Sequence, residues 1–369
     1  MTPGPTNSLL DVAGLRVGHH HRTGGGYRTG TTVVLAPEGG MAAGVDVRGA
    51  APGTRETELL DPRNLVERVH AIVLTGGSAF GLSAACGVMS RLADAGTGFP
   101  VEGGVVPIVP AAVIFDLGRG GSFRATPDAA FGAAAYDAAV RAGTTGDGSS
   151  ASTAPGHASG SVGAGAGAMA GGLAGGVGTA SVVLPSGATV AALAVVNAAG
   201  SVLDPVGGRL AGARYGLPGE FDHLREPSEE ETAAWRPGEV TSLNTTIGVV
   251  ATDLTLTKAQ CGKLAAVAHD GLARAIRPAH TMVDGDTVFG VATCVLPEPR
   301  GERREYGQRT DGPAGTEPGE SPNPHDLHDL LAAGADVFSR AVAHAVLGAT
   351  GREGAPAYLD VFPSATRTP

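Results

Sequence analysis

The sequence predicts a layered α/β domain. Short β-branched strands alternate with helices of 3.6-residue periodicity along most of the chain. Both kinds of element are built from Ala, Val and Leu. Glycine occurs 59 times while aromatics make up only 4%, so neighbouring backbones must pack closely. The chain has 369 residues, enough for a large core and one big domain or two.

Composition excludes several classes. Hydrophobic residues make up 42% and charged residues 17%, a globular balance. The net charge of −10 argues against nucleic acid or an anionic membrane as partner. Cys86, Cys261 and Cys294 are odd in number and lack metal or redox spacing. Flanked by small or apolar residues, they read as buried free thiols in a reducing compartment. Met1–Thr6 has no basic segment leading into an apolar run, so no signal peptide is expected. The Ala-rich stretches are broken by Gly, Ser or Asp, so no membrane span is expected. A soluble, cytoplasmic protein follows.

The elements come in this order. Thr31–Leu35 and Met41–Val47 are strand candidates. His19, His20 and His21 are read as a polar turn before Thr23 and the glycines that follow, rather than as metal ligands. Asp61-Pro62 can open a short helix. Ala71–Leu74 is a buried strand. Thr75-Gly76-Gly77-Ser78 then leads into a helix to about Ala95, with Leu82, Ala85, Cys86, Met89, Leu92 and Ala93 on its inner face. That strand, glycine loop and helix lack both a dinucleotide fingerprint and a P-loop Lys, so no nucleotide cofactor is expected.

Pro107–Leu117 is strand-like, and Ala129–Ala142 reads as a helix of small residues. Thr144–Ser159 has the composition of a linker. Gly160–Gly175 is apolar and reads as a close-packed loop or strand. Thr179–Leu184 and Ala188–Val196 form a hairpin around Pro185-Ser186-Gly187, with Asn197 at its end. The acidic run Glu226–Glu231 is a solvated surface. Thr257 and Gln260 make a capping box for a helix Lys258–Ile276, which Pro278 follows. Asp286 leads into a strand Thr287–Leu296. Residues 297–323 read as a surface loop or disordered insertion. A last helix starts near Pro324, with Leu327, Leu331, Phe338, Ala341, Val342 and Ala345 buried. His325 and His328 at its start are read as exposed, not as ligands.

Asn244-Thr245-Thr246 stands where a polar loop enters the apolar strand Ile247–Thr252. It can be a turn that simply precedes a strand. It also has the residues for self-cleavage. The Thr245 hydroxyl attacks the Asn244 carbonyl, the peptide bond moves onto oxygen as an ester, and water releases a chain that begins at Thr245. Its free α-amine, with a reference pKa of about 8, can then act as base for its own hydroxyl. Asp284 and Asp286 are two apart, so on an extended segment both carboxylates point to one side. There they could hold a hydroxyl and an ammonium group. A tight turn or a calcium loop are the other readings of Asp-Gly-Asp. The wider acidic spacing of an EF-hand is absent.

Seven segments occur in a fixed order over roughly Leu9–Leu296. They are Gly44–Gly49, Pro52–Thr57, Leu74–Leu82, Val113–Asp116, Gly160–Gly165, Asn244–Ile247 and Arg277–Phe289. Together they resemble the P1 (S58) peptidase family: L-aminopeptidase/D-esterases, β-peptidyl aminopeptidases and 6-aminohexanoate-oligomer (nylon oligomer) hydrolases. The resemblance implies a four-layer α-β-β-α sandwich like that of the N-terminal-nucleophile hydrolases. It implies one domain, 1–369, cut into 1–244 and 245–369, with four such pairs assembling. It implies hydrolysis of small amide, peptide or ester substrates through a Thr245 acyl-enzyme, with no cofactor or metal. Thr245 with Asp284 and Asp286 resembles the nylon-oligomer branch; the Ser-nucleophile branch has a Ser and a Glu there. Asn197 matches an Asn that helps hold the oxyanion, a contribution of roughly 3 kcal/mol in comparable sites.

Two positions depart from the pattern. Phe115 stands where studied members carry a Tyr, and Gly172 where the nylon-oligomer enzymes carry a Lys. They put substrate range and rate in question. An acyltransferase of the ornithine acetyltransferase type and an unprocessed, inactive relative are the alternatives.

Overall fold

Two five-stranded sheets lie face to face between two pairs of helices. The computed structural model describes residues 1–144, 159–237, 243–296 and 324–367. The linker-like stretch Thr144–Ser159 falls almost wholly, and the predicted loop 297–323 wholly, outside these residues.

The first sheet runs in the order Arg16–Gly24, Tyr27–Leu35, Ala71–Thr75, Ala111–Val113, Thr54–Arg55. The second runs Gly176–Val183, Thr189–Val196, Ile247–Thr252, Thr287–Ala292, Ala42–Val47. The side-chain period of two sorts each strand between two cores. From the first sheet, Val34, Ile72 and Leu74 meet Leu193, Val195, Ile247, Val249 and Phe289 of the second in the central core. The alternate residues Val33, Leu35 and Val73 face the helices Ala84–Asp94 and Ala129–Thr144. On the far side, Ala192, Ala194, Val250 and Val288 face the helices Lys258–Ala275 and Pro324–Leu347. This is the α-β-β-α sandwich, and each wholly buried Val, Leu or Phe contributes roughly 1.5–3 kcal/mol.

The glycine-rich composition has its cause in these layers. A Cβ on Gly178 would lie 2.1 Å from the Ala341 carbonyl oxygen, and one on Gly290 2.1 Å from that of Cys261. Helix backbone rests directly on strand backbone there, so a larger residue would force the layers apart.

Several expected elements are present, some with shifted bounds. The hairpin is Gly176–Val183 with Thr189–Val196. The Thr257–Gln260 capping box is present at the start of Lys258–Ala275. Gly160–Gly175 is a mostly buried loop containing a small hairpin, Met169–Ala170 with Leu173–Ala174.

Others are corrected. The histidine trio lies on the first strand, paired with Thr32, Thr31 and Gly30, and is not a turn. His19 Nδ1 bonds Thr32 Oγ1 at 2.9 Å, and burial with the nearby His21 pushes the imidazole down to about 4. Asp61 ends a 3-10 turn, Thr57–Leu60, instead of opening a helix. The helix after Gly77 breaks near Leu82 and restarts at Ala84. In the segment Ala84–Asp94 the buried face is Ala84, Ala85, Val88 and Leu92, turned from the expected one. Cys86 is exposed, against the expectation of three buried thiols; Cys261 is buried and Cys294 half-buried. In the last helix Leu330 is fully buried while Leu327 and Leu331 are only partly so. That helix, over His325–Leu347, is long and apolar enough to cross a membrane by composition, although no span was expected. Most of it is enclosed by the second sheet and the neighbouring helix.

Candidate active site

Three strand ends of the second sheet meet at one edge. The strand Thr189–Val196 ends there, and the strands Ile247–Thr252 and Thr287–Ala292 begin there. Val195 pairs with Ile247 in the antiparallel ladder, so Asn197 continues opposite Thr245. Ile247 pairs with Thr287 in the parallel ladder. The same offset extends outward to a bridge between Asn244 and Asp284. All of Asn197, Asn244, Thr245, Asp284 and Asp286 are buried. The predicted site residues are thus brought together by sheet register alone.

At the centre is the Asn244–Thr245 peptide. Thr245 Oγ1 lies 2.5 Å from the Asn244 carbonyl oxygen, to which it donates. The Gly285 amide donates to the same oxygen at 3.1 Å. Thr245 N–H donates to the Asn197 carbonyl oxygen at 2.6 Å. A Cβ at Gly285 would stand 2.8 Å from Thr245 Oγ1 and 2.5 Å from the Ala51 carbonyl oxygen. Only a glycine lets the amide come this near.

The two carboxylates hold the frame of the site. Asp286 Oδ1 accepts the Thr246 N–H at 2.7 Å. Its Oδ2 accepts the His280 N–H at 3.0 Å and faces His280 Nδ1 at 2.8 Å. Asp284 Oδ2 accepts the Thr281 N–H at 2.9 Å and its hydroxyl at 2.6 Å. The contacts shown by both acids are to the backbone and side chains around Thr245, not to its hydroxyl. His280 stacks edge-on against His269, which burial pushes down to about 4. The loop Arg48–Ala51 closes the frame, with Arg48 and Gly49 amides on the Asp286 carbonyl oxygen and Ala51 on that of Asp284.

Asn197 anchors the opposite wall. Its Nδ2 donates to the Phe115 carbonyl oxygen at 3.2 Å. Its Oδ1 accepts from Arg119 Nη1 and from the Met169 amide at 3.2 Å. Phe115 therefore serves through its main chain. Gly172 has φ +88° and Gly171 φ +54°, the two residues at the tip of the small hairpin. That left-handed turn favours glycine, which accounts for the residue found there.

Sequence reasoning did not single out four groups in this assembly. The Gly285 amide is a backbone donor with no side-chain signature. His280 and Thr281 sit inside the quoted Arg277–Phe289 segment but received no role. Arg119 follows Asp116 by three residues and had only that proximity to mark it.

The comparisons with known proteins agree with this geometry. Among solved structures, a Burkholderia sp. β-aminopeptidase superposes with a TM-score of 0.68 at 23% identity, covering 100% of this chain and 96% of its own. The L-aminopeptidase D-Ala-esterase/amidase of Ochrobactrum anthropi, described as a new variant of the Ntn hydrolase fold, gives 0.67 at 21% identity, with coverage of 99% and 96%. An uncharacterized aminopeptidase of Mycobacterium leprae (strain TN) is 47% identical over 378 residues, 99% of this chain and 96% of the relative. A 6-aminohexanoate-oligomer endohydrolase of Kocuria sp. (strain KY2) is 32% identical over 294 residues, 77% of this chain and 74% of the relative. The model of peptidase family S58 matches residues 7–357.

The class is that of peptide- and amide-bond hydrolases built on an Ntn-type fold. Within it, this chain belongs to peptidase family S58.

Proposed function

We propose that the chain is an autoprocessed N-terminal-nucleophile hydrolase. It cuts itself between Asn244 and Thr245 and then hydrolyses small amide, peptide or ester substrates through Thr245. One observation carries this reading: Thr245 Oγ1 and the Gly285 amide converge on the Asn244 carbonyl oxygen.

In the first reaction Oγ1 adds to the Asn244 carbonyl carbon. Negative charge develops on the oxygen that Gly285 N–H already faces, so that donor stabilises it as it forms. The C–N bond breaks, and the hydroxyl proton ends on the departing nitrogen. Water then hydrolyses the ester, leaving a carboxylate on Asn244 and an amine on Thr245. The Asn197 carbonyl oxygen, 2.6 Å from Thr245 N, is positioned to keep hold of that amine. A substrate carbonyl then takes the place that Asn244 vacated, with the Gly285 amide on the oxyanion side. Asp286 fixes Thr246, and with it the nucleophile's backbone; Asp284 fixes the turn that presents Gly285.

The names of the relatives support an aminopeptidase or an amide endohydrolase as the activity. Assembly as four cleaved pairs, in the cytoplasm, is part of the same reading, and native mass measurement tests the assembly. Intact mass of the purified protein tests the core of it. Two species matching Met1–Asn244 and Thr245–Pro369 are expected, with Thr245→Ala remaining whole. A single uncut chain after long incubation rules the mechanism out.

A further inference from the structure

Beside Asn197 the structure gathers more positive charge than it neutralises. Arg119 Nη1 donates to the Gly167 carbonyl oxygen at 2.8 Å and to Asn197 Oδ1. Arg352, from the turn after the last long helix, donates through Nη2 to the same Gly167 oxygen at 3.0 Å and to that of Ala168 at 2.6 Å. Two guanidinium groups thus share one carbonyl oxygen. Arg28 lies close enough to repel Arg352 as well. Burial and these neighbouring cations pull Arg352 down to about 10.

Asp116 is the carboxylate facing this group, and burial pushes it up to about 6. Its Oδ1 accepts from the Gly77 amide at 2.6 Å, and its Oδ2 has no hydrogen-bond partner among the described residues, so one carboxylate stands against three guanidinium groups. Arg352 Nη1 is buried and has no hydrogen-bond partner among the described residues. Buried charges are normally paired, and a guanidinium edge without a partner matches a planar anion in shape and charge. The placement runs against the acidic charge of the protein as a whole.

We propose that Arg119 and Arg352, with Arg28 near Arg352, form a carboxylate-binding subsite beside Asn197, and that the preferred substrates carry a carboxylate. The proposal rests on the hydrolase reading for its meaning but not for its test. Two sources of that carboxylate are distinguished: the free carboxylate of the amino acid that a dipeptide substrate releases, or an acidic side chain on the acyl residue.

Two substrate pairs separate them. Alanyl-alanine is compared with alanyl-alaninamide, and aspartyl p-nitroanilide with asparaginyl p-nitroanilide. The expected result is a preference of about tenfold or more in kcat/KM for the anionic member of one pair. The pair that shows it identifies the source. In Arg352→Gln that ratio should fall to near one, and Arg28→Gln should reduce it should the first variant fold poorly. Ratios near one in both pairs, or a ratio unchanged in a folded Arg352→Gln, overturn the proposal. Calorimetry with glutarate and glutaramide reads the subsite without turnover. Tighter, salt-sensitive binding of glutarate is expected, and equal binding or none overturns it. Absence of all turnover with this binding contrast intact would count against the hydrolase reading alone.

Discussion

The Gly285 amide nitrogen stands 3.1 Å from the Asn244 carbonyl oxygen and donates to it, in line with the parallel ladder that joins the two segments. A regular feature of the sheet thereby becomes a donor to the carbonyl that Thr245 Oγ1 faces.

Gly285→Ala should therefore slow self-cleavage. The added methyl would sit 2.8 Å from Thr245 Oγ1 and 2.5 Å from the Ala51 carbonyl oxygen, so the amide must retreat. Loss of one such donor costs roughly 10²–10³-fold in comparable sites. A time course of intact mass after synthesis measures it. Cleavage at the wild-type rate would show that this amide has no part in the step.

Asp286→Asn should lower both stability and processing. The carboxylate accepts from the Thr246 and His280 amides and faces His280 Nδ1, and it is buried. The amide that replaces one oxygen presents hydrogens to these donors. Bonds to a charged group contribute roughly 1.5–3 kcal/mol each, so a fall in Tm of several degrees is expected. An unchanged Tm would remove Asp286 from the frame of the site.

Asp116 should leave a mark on the pH dependence of stability. Burial raises its carboxyl to about 6, so the folded protein holds this proton more tightly than the unfolded chain does. Its contribution is complete below about pH 4 and is lost as pH rises to 6, a change of roughly 3 kcal/mol. Asp116→Asn should be free of that loss. Urea midpoints at pH 4 and 7.5 should thus shift in favour of the variant at the higher pH.

Glu220 should act with the opposite sign. Burial alone would raise it, but His344 and Arg340 hold it down to about 2. Arg340 Nε donates to it at 2.7 Å and is itself buried. The stability from this pair is present above about pH 4.5 and lost as pH falls toward 2. Glu220→Gln should cost roughly 3–5 kcal/mol at pH 7 and flatten the acid limb of the denaturation curve.

Much of the site was legible because it is made of strand ends. The polar-to-apolar switch at Ile247 and the two-residue spacing of Asp284 and Asp286 are local features of sequence. The capping box at Thr257 was readable for the same reason. The orientation of the two acids was not. Spacing placed them on one side of an extended segment, but a turn at Thr281 claims one and His280 the other. Arg352 lies over 100 residues from Thr245 and is brought to the site by the last helix, a placement only tertiary packing shows. The exposed Cys86 was not legible either, because the side of Ala84–Asp94 that packs on Val33, Val73 and Ala135 is set by the neighbouring sheet and helix.

The strand order of the second sheet has a consequence for what self-cleavage would do to folding. Strands from 247–252 and 287–292 lie side by side, clasped on one flank by 189–196 and on the other by 42–47. Once the chain is cut, the two products would be joined by two ladders of backbone hydrogen bonds and could not part without melting the sheet. Folding before the cut is a unimolecular event; reassembly after it would be bimolecular. The mature protein would then unfold more readily than it re-forms, with a recovery that depends on dilution, so that a single ester hydrolysis makes its folding history one-way.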